Sequence, residues 1–183
     1  MNSKLILGGL IGGLILFIWQ FLSWSMLNLH GSQLSYTSSQ DAILECLKEN
    51  NLSEGSYFLP TVSPDIPSSE HMDYMEKFVG KPWATISYHN SMKMNMGMNM
   101  FRAFVVNVVA VLLLCYLLLG NPNLNFKMVL ISSLLVGLIS YLTVPYLNSI
   151  WFETNTMPDL IDALVQWGLC GAFLGWFLNR DKA

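Results

Sequence analysis

The sequence predicts a mainly α-helical integral membrane protein. A four-helix transmembrane bundle carries a small α+β extracytoplasmic cap between helices 1 and 2. Three observations lead there. Charged residues make up only 11% of the 183-residue chain and hydrophobic residues 53%, whereas a soluble domain carries roughly 25% charged residues. The deficit is concentrated in four apolar runs, each near the ~20 residues needed to cross a ~30 Å hydrocarbon core. One long polar stretch interrupts them. The expected organisation is a first transmembrane helix in 1–29, the cap in 30–100, and three further transmembrane helices in 101–183.

The first run, Leu5 to about Leu29, has no charge. The second, Ala103–Leu119, has one strongly polar residue, Asn107. The third runs from Met128 to about Ile150 and the fourth from about Leu160 to Leu178. In hydrocarbon every backbone N–H and C=O must be paired internally, so these segments are expected to be helices. The first run could also be read as a secretory signal peptide. It is long for the apolar core of one, however, and no A-x-A-like site comes after it, so a signal anchor is the better reading. An even number of spans puts both termini on one side. Lys4, Lys127, Arg180 and Lys182 share that side, while Arg102 stands at the opposite edge. Because basic residues collect in cytoplasmic loops, both termini are expected to be cytoplasmic, with 30–100 outside.

That outer segment holds Asp41, Glu45, Glu49, Glu54, Asp65, Glu70, Asp73 and Glu76 against Lys48, Lys77, Lys81 and Lys93. This mildly acidic balance argues against nucleic acid as a partner. Ser38 or Ser39 can cap a helix to about Asn51, with Cys46 on its apolar face. The three cysteines make no disulfide framework, and Cys46 is expected to be buried in that helix. Tyr57–Leu59 reads as a short strand. The prolines of 60–67 demand irregular chain. Ser68 or Ser69 opens a second helix to about Val79, ended by Gly80 and Pro82. Trp83–His89 is a strand candidate, and a bend at 89–91 would join it as a hairpin to the methionine-rich segment 91–100.

That segment reads SMKMNMGMNM, with methionine at 92, 94, 96, 98 and 100. Strand side chains alternate between faces, so the spacing predicts a strand with thioethers on one face and Lys93, Asn95 and Asn99 on the other. Methionine fills irregular apolar gaps well, and packing is the first reading. Thioethers also select soft ions such as Cu(I). Met92, Met94, Met96 and Met98 with His89 are therefore the candidate metal ligands, and contact with a partner or the membrane surface is a third reading.

Within the spans, Gly8/Gly12, Gly9/Gly13 and Gly171/Gly175 are small residues four apart, a spacing that lets helices approach closely. They serve packing within the chain, or association with a second copy or another membrane protein. Thr156 and Asp159 around Pro158 resemble a helix start. Asp162 and Gln166 continue that face inward, and a salt bridge from Arg102 to Glu153, Asp159 or Asp162 is expected. An outer-leaflet pocket with Gln20, Ser23, Asn107 and Asn148 is the alternative.

The stretches WQFLSWSMLNLHG (19–31), GSYFLP (55–60), ISYHN (86–90) and VPYLNSIWFETNTMPDLIDALVQWGLCGAFLGWFL (144–178) resemble a group of uncharacterised four-span bacterial inner-membrane proteins. The resemblance implies that location, supplies no activity, and marks His30, Tyr57, Pro60, His89, Asn148, Asp162 and Trp167. No phosphate-binding loop, strongly spaced metal cluster or nucleophile with an adjacent base is visible. The expected role is therefore non-enzymatic and needs no cofactor: an accessory or scaffold subunit of an envelope complex. Its partners would be membrane lipid and another integral membrane or envelope protein, or a second copy. The alternatives are a small transporter or lipid-binding protein, and an extracytoplasmic Cu(I) binder.

Overall fold

A computed structural model describes residues 2–180; Lys182, one of the basic residues bearing on orientation, lies outside them. The chain divides into two compact units. One comprises the residues up to Ser35 and from Asn95 onward, the other Tyr36–Met94.

Among the described residues of the first unit, four helices are long and apolar enough to cross a membrane: Ser3–Met26, Met96–Leu119, Phe126–Phe152 and Met157–Asn179. Helix α1, Asn2–Phe21, continues as a wider π-helical turn, Leu22–Met26. Helix α4 is Met96–Leu119. Helix α5, Phe126–Tyr141, also passes into a π turn, Leu142–Tyr146, and then into α6, Leu147–Phe152. Pro145 lies inside that second π turn. It has no N–H, and its ring crowds the carbonyl four residues back, so the turn must widen there. Helix α7 is Met157–Asn179.

The starts of α5 and α7 rest on asparagine. The Asn125 side chain accepts from the Met128 N–H at 3.0 Å, and that of Asn155 from the Met157 N–H at 3.1 Å. Thr156 makes no capping hydrogen bond. Its hydroxyl pairs with the Tyr141 hydroxyl at 3.1 Å, so the predicted Thr156 cap is replaced by Asn155.

Helix α1 lies between α4 and α7, and α5 packs on α7. Apolar burial drives little association between helices in lipid, so close van der Waals contact must do it. The glycines supply that contact. A Cβ on Gly13 would stand 2.6 Å from the Val108 Cα, and one on Gly9 2.3 Å from a Leu112 methyl. Gly8 and Gly12 face Cys115 and Val111 of α4 together with Leu174 and Cys170 of α7. Gly171 meets Ser133 of α5, and Gly175 meets Phe126. Both rows thus face helices of the same chain. Leu16, Val111, Cys115, Cys170 and Leu174 form the centre of the core.

In the second unit β1, Gly55–Leu59, pairs antiparallel with β2, Ala84–Tyr88, in the register Gly55↔Tyr88 to Leu59↔Ala84. Helix α2 is Gln40–Glu49 and α3 is His71–Glu76, entered through a 3-10 turn at Ser68–Glu70. Gly80, with φ 79°, comes after it. Two expectations are corrected here. The partner of β2 is β1 and not the methionine segment, which forms no strand; 92–95 are irregular and Met96 opens α4. Methionine is a good helix former, Gly97 weakens a strand, and no β-branched residue favours one. The run is also continuous with an apolar helix. Alternation therefore places no row of thioethers on one face: Met96 and Met100 share a helix face and Met98 points away. Cys46 is exposed and not buried, because no side chain of α2 is buried.

Gly13→Ala should lower stability by about 1–3 kcal/mol, the usual cost of overpacking, since its new methyl meets backbone. Gly97→Ala, with nothing within 4 Å, should be neutral or slightly stabilising through helix propensity. Thermal unfolding of both variants in one detergent checks the pair; equal melting points would refute the close-packing account.

Candidate functional site

The end of α1 carries Trp19, and the π turn carries Ser23 four residues on. The π turn adds Trp24, and Asn28 then takes a left-handed conformation (φ 49°, ψ 38°). Asparagine tolerates that region better than most residues. The reversal starts a 3-10 turn, Leu29–Ser32, which directs His30 back against the helix. The His30 ring stacks on Trp24 with centroids 4.0 Å apart and planes 4° from parallel.

On α7, Asp159, Asp162 and Gln166 succeed one another three and four residues apart on one face. Asp162 Oδ1 accepts from Trp19 Nε1 at 2.9 Å and from the Ser23 hydroxyl at 2.7 Å. Its Oδ2 lies 2.9 Å from His30 Nε2. Asp162 and His30 are only 8% and 4% exposed. A carboxylate this buried is sustained because three donors converge on it.

The other side of His30 fixes its protons. Gln33 Nε2 donates to the Asn155 carbonyl at 2.7 Å and to Asp159 Oδ2 at 2.6 Å. The Gln33 amide oxygen must therefore face His30 Nδ1, 2.6 Å away. Acceptors on both sides call for N–H on both ring nitrogens, which is the imidazolium. Burial opposes that charge, but the hydrogen bonds to Gln33 and Asp162 and the charges of Asp162 and Asp159 outweigh it. The His30 pKa accordingly sits above its ordinary value of 6.5.

A strip of amides adjoins this cluster. Asn107 Nδ2 donates to Gln20 Oε1 at 2.8 Å, and Gln20 Nε2 reaches Asn107 Oδ1 at 3.3 Å and Gln166 Oε1 at 3.4 Å. It links α4, α1 and α7 at one level. A cavity of about 280 Å³ opens between α1, α5 and α7, lined among others by Gln20, Trp24, His30, Tyr141, Pro145 and Asp162. Both π turns contribute to its wall, and such turns often occur where a helix is shaped for function.

The arrangement differs from a nucleophile–base–carboxylate chain. Ser23 donates its hydrogen bond to Asp162, and both nitrogens of His30 are engaged. No group of three or more His, Cys, Asp or Glu side chains is placed to hold a metal ion among the described residues.

Of the residues singled out from sequence, Asn107, Asp159, Asp162 and Gln166 come together with Gln20 and Ser23. Asn148 does not; it is exposed on α6. Arg102 makes no ion pair with Glu153, Asp159 or Asp162, or with any other described residue. Asp162 has His30 as its partner instead, because the turn at Asn28 delivers the imidazole to a carboxylate that Arg102, on α4, does not meet. Trp167 packs on Gly137, while Tyr57, Pro60 and His89 belong to the second unit. Met92, Met94, Met96 and Met98 are all exposed. Sequence reasoning missed Trp19, Trp24 and Gln33. The Trp19/Ser23 spacing and a histidine just beyond an uncharged span were the available signals.

Asp162→Ala would strand the Trp19 N–H, the Ser23 hydroxyl and the imidazolium, and should cost about 3–5 kcal/mol. Asp162→Asn keeps an acceptor and should cost less. A raised pKa in the folded state means that the protonated His30 contributes stability in full below pH 6.5. That contribution is lost as pH rises through the folded value. Melting curves from acid to alkaline pH should show this decline in the parent chain and a flatter profile in His30→Gln; identical profiles would defeat the assignment.

No protein-family model, no curated protein and no solved structure matches this chain.

Proposed function

We propose that the chain is a non-enzymatic accessory or scaffold subunit of a bacterial envelope complex. In this reading it is a multi-pass protein of the inner membrane with both termini cytoplasmic and the Tyr36–Met94 unit extracytoplasmic. The four long apolar helices support a multi-pass membrane protein. The orientation is supported by Lys4, Lys127 and Arg180 at one set of helix ends.

The observation that carries the binding role is the composition of the second unit. Among its residues only Tyr88 is buried. Tyr36, Ile43, Leu44, Met72 and Val79 are exposed, with Val79 at 80%. A small unit that buries so little apolar surface is marginal on its own, and exposed apolar patches mark interaction sites. Another integral membrane or envelope protein is the partner that fits this reading. A second reading, a lipid-binding or transport protein, is favoured by the cavity beside His30 and Asp162, since ionisable residues within spans often line ligand paths.

Gentle-detergent purification and then mass spectrometry separates the two. The accessory reading expects an envelope protein in stoichiometric amount with the parent chain, and its loss from Ile43→Asp/Leu44→Asp. Co-purified lipid alone, unchanged in that variant, would favour the second reading. Orientation is tested with an impermeant thiol reagent on Ser63→Cys in a Cys46→Ser background. Labelling should occur in intact spheroplasts; labelling only after permeabilisation would reverse the topology.

A further inference from the structure

Arg102 is a cation of α4 with no counter-charge among the described residues. It lies in the second turn of α4, just before the apolar run from Ala103 onward. Its guanidinium makes no hydrogen bond or ion pair with any described residue. The nearby side chains that could meet it are neutral: Asn99, Asn107 and Gln20 line the same cavity of about 330 Å³, and Ala103 and Val106 complete it with an apolar wall. Asn107 and Gln20 already spend their oxygens on each other, and both N–H groups of Gln20 are engaged by Asn107 and Gln166, which leaves one N–H of Asn107. Asp162, the buried carboxylate of this end, is held by His30, Trp19 and Ser23.

An arginine near the end of a span extends its guanidinium to the interface, the level at which phosphate groups of lipids lie. Its planar fork of donors matches a phosphate better than a point charge does. A phosphate would supply the missing charge, and amide N–H groups beside it would complete the shell. The apolar strip of Ala103 and Val106 suits the start of an acyl chain.

We propose that Arg102, with Asn99 and the remaining amide N–H of Asn107, forms a site for a phosphate-bearing anion. A phospholipid headgroup and free inorganic phosphate are the two sources of that chemistry. The proposal goes beyond the accessory role and rests only on α4 crossing a membrane.

Native mass spectrometry of the full chain in mild detergent tests it, with phosphatidylglycerol added at increasing concentration. Removing a charged donor to an anion should weaken binding by about tenfold, so Arg102→Gln should shift the bound fraction by that factor. Arg102→Lys, which keeps the charge and loses the fork, should fall between. Lys127→Gln, a basic residue distant in sequence, should bind as the parent does. Competition by inorganic phosphate would assign the site to the free anion, and lipid binding unaffected by it would assign the site to the headgroup. Both results support a phosphate site. Equal lipid retention and no phosphate competition in parent and Arg102→Gln, both recovered from membranes, would overturn the proposal and leave the membrane reading standing. Recovery of the parent chain in the soluble fraction would overturn both.

Discussion

Asp162 is the group on which the polar end of the helical unit depends. A carboxylate with little exposure to solvent needs donors on both oxygens, and it draws them from two distant parts of the chain. Trp19 and Ser23 come from α1 and the π turn that extends it, and His30 comes from the turn beyond. Meeting that need ties the end of α1 to α7. It also explains why the chain reverses at Asn28 in a conformation most residues avoid. Gln33 extends the tie to Asp159 and to the backbone of Asn155. The start of α7 is thereby fixed from outside as well as by its own Asn155 cap.

Two different forces therefore hold the four helices. Towards the middle, glycine rows let α1 approach α4 and α7, and α5 approach α7, by shape alone. Towards one end, hydrogen bonds among Asn107, Gln20, Gln166, Asp162 and His30 cross-link α4, α1 and α7. In a medium that offers few competing partners such bonds are specific as well as stabilising. The two π turns sit at the same level and shape the wall of the cavity there. Gln20 of α1 and Asn107 of α4 also line a second cavity, whose wall includes Arg102.

The second unit obeys a different logic. Its two strands satisfy each other's backbone, yet its helices bury no side chain. A fold whose local elements form but whose apolar faces stay open is suited to completing itself on another surface. That is the physical basis of the proposed accessory role.

The sequence by itself determined the helical class and the number of long apolar helices, because the length of an apolar run is a local property that hydrocarbon makes decisive. It also located β1, β2 and the breaks at Gly80 and Pro82, which stem from local backbone preferences. Only the tertiary structure decided the pairings. Alternation suggested that Met92–Met98 would form a strand, but continuity with the apolar run after Arg102 pulled Met96–Met100 into a helix. It left β2 to pair with β1, far earlier in the chain. Charge alone suggested Arg102 for Asp162. The partner is His30, 132 residues away in sequence, because a π turn and one left-handed asparagine decide which side chain arrives at that carboxylate. Spacing along a helix reveals which residues share a face, but the face that meets it is set by how the helices pack.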